Sequence, residues 1–121
     1  MNIYLYISII LAAVAALVHS YLGEANFLRP LFAETHIGVM RSLTWRRVLR
    51  AVWHLPSVCW LLMAAMTFVV AQNDAASTIP LYFACTVYLS SGIGNFIATR
   101  GKSFGWIVLF AAAGLLVLGF A

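Results

Sequence analysis

IYLYISIILAAVAALVHSYL, residues 3–22, runs for twenty residues without a formal charge. A bilayer core about 30 Å thick is crossed by roughly 20 apolar residues in a helix, so this run predicts a membrane-spanning helix. Three more runs read the same way: 48–71, with Arg50 and His54 near its start, then 79–98 and 104–121. They leave a first loop over 23–47 and short loops over 72–78 and 99–103. The 121-residue chain is 64% hydrophobic and 8% charged. Soluble domains carry about 25% charged residues, so there is too little charge here to coat a water-facing surface. Disorder would need low hydrophobicity. The expected fold is an all-α integral membrane protein, one domain over 1–121, built as a four-transmembrane-helix bundle.

The charges give an orientation. Arg29, Arg41, Arg46, Arg47 and Arg50 lie in or beside the first loop, and Arg100 and Lys102 lie in the third. The second loop and both termini have no Lys or Arg. By the excess of cations in cytoplasmic loops, both termini face outward and loops one and three face the cytoplasm of a bacterial inner membrane. Met1-Asn2-Ile3-Tyr4 lacks the basic start of a secretory signal, so the first run is expected to be retained. The basic balance is then a topology signal with some attraction to anionic headgroups. No separate basic domain exists to grip a nucleic-acid backbone. Within the first loop, Leu28, Phe32, His36, Val39, Met40 and Leu43 approximate an apolar face, which predicts an interfacial helix.

Small and polar residues mark the sides on which membrane helices meet. Ser8, Ala12, Ala15, His19 and Gly23 recur along the first span; Arg50, His54, Ser57 and Leu61 along the second; Ala84, Tyr88, Ser91, Asn95 and Ala98 along the third. The fourth is nearly all aliphatic and is expected to pack at the edge of the other three. His19, His54, Ser91 and Asn95 fall at a similar depth in the cytoplasmic half, with Glu24 just beyond His19. Ionisable groups inside a membrane are costly and mark candidate sites; near an interface they also occur as ordinary hydrogen-bonded side chains. The expected polar cluster for a ligand or ion is His19, Glu24, Arg50, His54, Ser57, Ser91 and Asn95. Arg46, Arg47, Arg100 and Lys102 are expected to meet anions or lipid headgroups. Pro56, two residues after His54, cannot donate to the Val52 carbonyl and should bend the second span. Gly23-x-x-Asn26-Phe27-Leu28 and Gly92-x-x-Asn95-Phe96-Ile97 match, which a doubled two-helix hairpin would explain.

His19-Ser20-x-x-Gly23-Glu24, Trp53-His54 and Arg100-Gly101-Lys102-Ser103-x-Gly105-Trp106 resemble a family of small uncharacterised bacterial inner-membrane proteins. The resemblance covers most of the chain, implies four spans and supplies no function. Small multidrug transporters do not fit, since they are built around a carboxylate in the middle of the first helix, where this chain has only Ser8 and His19.

Three functions compete. The first is a small transporter or channel that works as an oligomer, with the histidines lining its pathway. The second is a redox protein in which His19 and His54 ligate haem or a divalent metal, helped by Glu24 or His36; no cofactor follows from the residues themselves. The third is an accessory or scaffold subunit of a larger membrane complex. No HExxH, CxxC or GxSxG pattern is present, so an enzyme is not expected. Cys59 and Cys85 read as small buried apolar residues.

Overall fold

The structure is a computed structural model and describes residues 2–120; Met1 and Ala121, the outermost residues of the expected domain and fourth span, lie outside the described residues. The chain is 85% helical, with no strand among the described residues. Helix α1 (Ile3–Gly23) runs through a π-helical turn at Glu24–Leu28 into α2 (Arg29–Ala33), giving one rod of 31 residues. A 3-10 turn at Gly38–Arg41 leads to α3 (Leu43–Ala71), followed by α4 (Ile79–Thr99) and α5 (Gly105–Phe120). The Ile3–Ala33 rod, α3 and α4 are long and apolar enough to cross a membrane. Helix α5 is apolar and 16 residues long.

The first loop differs from expectation. It does not begin at residue 23, because the helix continues to Ala33. Glu24 is tolerated there because its carboxylate pairs with Arg50 on α3, at 2.7 Å. Pro30 has no N–H to give the turn before it, and the helix widens into the π-turn at Glu24–Leu28 just ahead of it. The expected separate interfacial helix is therefore absent among the described residues. Leu28 and Phe32 belong to the first rod, Met40 is buried under the 3-10 turn, and Val39 and Leu43 are exposed. The second helix starts at Leu43 rather than 48, capped by the Ser42 hydroxyl, which accepts the Trp45 N–H at 3.5 Å.

The four rods close into a ring in the order α1, α3, α4, α5, with α5 returning to α1. This corrects the expected place of the fourth helix. Leu109, Ala112, Ala113 and Leu116 of α5 are fully buried, and the Ser8 hydroxyl of α1 donates to the Ala112 carbonyl at 2.8 Å. Alanines at Ala12, Ala16, Ala84, Ala112 and Ala113 let the helices approach, while Leu5, Leu81, Leu109 and Leu116 fill the centre. Leu61 and Ala98 of the expected stripes face outward instead. Trp60, Ala64 and Thr67 are what α3 buries beyond Ser57.

The two hairpins are built alike. Gly23 of α1 lies under the Trp53 ring of α3, and Gly92 of α4 under the Phe110 ring of α5. Phe27 packs on Trp53 at 5.0 Å between centroids, and Phe96 on Trp106 at 5.1 Å. The repeated Gly-x-x-Asn-Phe string thus works in a similar way twice: each glycine admits a ring of the neighbouring helix and each phenylalanine packs on one, the same ring (Trp53) in the first hairpin and two rings one turn apart (Phe110 and Trp106) in the second.

Tyr88 sits in the middle with no exposed surface, and its hydroxyl has no partner among the described residues. An unpaired buried hydroxyl costs about 1–3 kcal/mol. Tyr88→Phe should therefore raise the melting temperature in detergent, and a lower one would reveal a hydrogen bond that the hydroxyl makes.

Candidate functional site

Polar side chains gather at the end of the bundle that carries Glu24, and they form two groups back to back on α1. His19 and Ser20 are adjacent, so they point about 100° apart around the helix and meet different neighbours.

Ser20 belongs to a ladder between α1 and α3. Ser57 Oγ donates to the Ala16 carbonyl at 2.9 Å, and Ser20 Oγ donates to Ser57 Oγ at 2.7 Å. His54 Nδ1 meets Ser20 Oγ at 2.9 Å, and His54 Nε2 meets Glu24 Oε2 at 3.2 Å. Glu24 also holds Arg50, whose guanidinium lies over the Phe32 ring at 5.0 Å. The Ala16 carbonyl can only accept, so it sets the direction of every bond above it. Each serine has a single proton: Ser57 spends it on Ala16 and Ser20 spends it on Ser57. His54 Nδ1 must then carry a proton to give to Ser20. The His54–Glu24 contact needs a second proton, held between Nε2 and Oε2.

His19 belongs to a clasp with Trp53. His19 Nε2 lies 3.0 Å from the Trp53 carbonyl, and Trp53 Nε1 donates to the His19 carbonyl at 3.3 Å. The rings stack at 4.8 Å and 6°, and Trp60 meets His19 edge-on at 5.2 Å. Since a carbonyl only accepts, Nε2 is the protonated nitrogen. In the neutral ring Nδ1 is then an acceptor, with no partner among the described residues.

His19 lines a cavity of about 540 Å³ bordered by α1, α3, α4 and α5. Ala15, Val18, Trp60 and Val108 supply its apolar wall; His19, Asn26, Asn95, Thr99 and Ser103 supply its polar groups. No Asp, Glu, Lys or Arg lines it. Helix α4 places the Asn95 amide beside the start of α5, where Gly105 leaves room. Arg100, in a left-handed conformation, closes α4, and the Gly101 N–H returns to the Phe96 carbonyl at 3.0 Å. Thr99 Oγ1 donates to the Asn95 carbonyl at 2.8 Å. Asn95 Oδ1 is enclosed and has no partner among the described residues. The rim is apolar and exposed: Val14, Val18 and Leu22 on α1, and Phe104 ahead of α5.

The structure therefore joins His19, Glu24, Arg50, His54 and Ser57 along the α1–α3 seam, but in two groups. Ser91 stands apart on α4, where its hydroxyl accepts Trp60 Nε1–H at 3.0 Å. Arg46 and Arg47 sit in the first turns of α3, and Arg100 and Lys102 in the α4–α5 turn, at the same end of the antiparallel bundle. His19 and His54, expected as a pair of metal ligands, meet different partners. Both nitrogens of His54 are engaged, His19 turns toward Trp53, and no three His, Cys, Asp or Glu side chains converge among the described residues. Trp60 went unnoticed in the sequence inside an apolar run; its spacing of three from Ser57 was the available sign.

His54→Ala removes the donor to Ser20 and one partner of Glu24, at an expected cost of about 1–3 kcal/mol. His36 is 76% exposed, paired loosely with Glu34 at 3.5 Å, so His36→Ala should stay within about 0.5 kcal/mol. Equal melting temperatures for the two variants would mean that the ladder carries no stability.

Comparison of the chain with known protein families, curated proteins and solved structures finds no match.

Proposed function

We propose that the protein is a small transporter of the bacterial inner membrane, spanning it four times with both termini outside, and that the His19–Asn95 cavity is where its cargo loads. The cavity carries this reading: it is open to the side through an apolar rim, and it keeps the Asn95 amide unpaired. Ligand sites are apolar hollows of about 300–1,000 Å³ with a few polar groups to fix orientation. An exposed rim of Val14, Val18, Leu22 and Phe104 suits a molecule arriving from lipid. Below the cavity the core is filled by Leu5, Ala12, Leu81, Tyr88 and Leu116. A pathway would then run along a wall shared between copies, which supports an oligomer. The cluster of arginines at the same end suits contact with anionic headgroups.

The test uses protein in lipid vesicles, in a Trp45→Phe, Trp106→Phe background that leaves Trp53 and Trp60 as the emitters. Trp60 is 6% exposed and lines the cavity. Titration with 10-bromodecan-1-ol, whose bromine quenches indole on contact, should give saturable quenching. Ala15→Phe, and separately Val108→Phe, should leave only the linear rise of probe dissolving in lipid. Linear quenching in the unfilled protein would overturn the reading.

A further inference from the structure

On the reading of the cavity as a binding site, we infer that its cargo is an uncharged amphiphile with a hydroxyl headgroup, an alcohol or a phenol, held by His19 and Asn95. Three observations select that chemistry. The cavity has no Asp, Glu, Lys or Arg in its lining, so a charged headgroup would leave water without a counterion, which is costly. His19 Nε2 is committed to the Trp53 carbonyl, so the neutral ring offers Nδ1 as an acceptor and asks for a donor. The Asn95 amide makes no hydrogen bond among the described residues, and because its Oδ1 is enclosed, the N–H is the group it offers. A hydroxyl answers both at once: it donates to His19 Nδ1 and accepts from the Asn95 N–H. A methyl ether can only accept, a carboxylate cannot donate, and an ammonium cannot accept.

Of the other polar groups in the lining, Thr99 and Ser103 already make hydrogen bonds, while Asn26 is exposed. Thr99 Oγ1 is bonded to the Asn95 carbonyl, and Ser103 Oγ accepts the Gly105 N–H at 3.2 Å. The rest of the wall includes hydrocarbon from Val14, Val18, Val108 and Leu109, which suits the chain or ring of an amphiphile rather than a second polar end.

The experiment compares four bromodecyl probes in the same vesicles: the alcohol, its methyl ether, the carboxylate and the ammonium. Half-saturation for the alcohol should fall about five- to tenfold below that of the ether, the worth of one neutral hydrogen bond. The two charged probes should show only linear quenching. Asn95→Leu should weaken binding of the alcohol and the ether by the same factor, since both accept from the Asn95 N–H, and should leave the gap between them, which rests on donation to His19, intact. Because the Asn95 amide holds nothing in the empty protein, this variant should not lower the melting temperature. Saturable binding of ether or carboxylate as tight as that of the alcohol would overturn the headgroup assignment alone. Linear quenching by all four probes would overturn the cavity as a binding site.

Discussion

Gly23→Ala should destabilise the protein by more than about 3 kcal/mol, far beyond the usual effect of one methyl group. A Cβ at position 23 would lie 1.7 Å from Trp53 Nε1. The indole cannot simply swing aside, because it donates to the His19 carbonyl, stacks on His19 and packs against Phe27. Moving it forfeits hydrogen bonds worth about 0.5–1.5 kcal/mol each and aromatic contacts of similar size, on top of overpacking of about 1–3 kcal/mol. Gly94→Ala is the control, since its Cβ would meet nothing within 4 Å; there alanine gains helix propensity of up to about 1 kcal/mol. Melting temperatures of the two variants decide. Equal values would show that Trp53 does not rest on Gly23.

Leu28→Ala should cost about 2–5 kcal/mol, as for a buried leucine elsewhere, but the loss should be local. Leu28 is fully buried in the π-helical turn, and it anchors the part of the first rod that continues beyond Gly23. The other ties of that extension are half-exposed: Glu24 to Arg50 and His54, and Phe32 under Arg50. Hydrogen exchange should quicken across 24–33 while α4 and α5 keep their protection. Uniform acceleration along the chain would mean that the extension is part of the core.

The long rods were legible because charge-free runs of membrane length have few other readings. The extension to Ala33 was not. Glu24, Arg29 and Pro30 look like a loop locally, and the group that makes Glu24 tolerable, Arg50, lies 26 residues away. The polar residues of the site were mostly visible, yet their grouping was hidden. His19 and His54 share a depth, but the side of α1 that each meets depends on which helix packs there. The place of α5 was equally hidden, since an aliphatic run says little about its neighbours. Asn95 could be flagged, but that its amide would be left unpaired beside Gly105 is a fact of tertiary structure alone.

The likeness of the two hairpins has a consequence for biogenesis. The ladder and the His19–Trp53 clasp lie wholly within the first hairpin, so they can form as soon as α1 and α3 are side by side. The cavity cannot: Asn95, Thr99, Ser103 and Val108 come from the second hairpin. Docking of the two halves, through contacts such as Ser8 to Ala112 and Trp60 to Ser91, is therefore the step that creates the cavity. A molecule lodged in the cavity bridges two separately built halves, and its occupancy would report that assembly is complete.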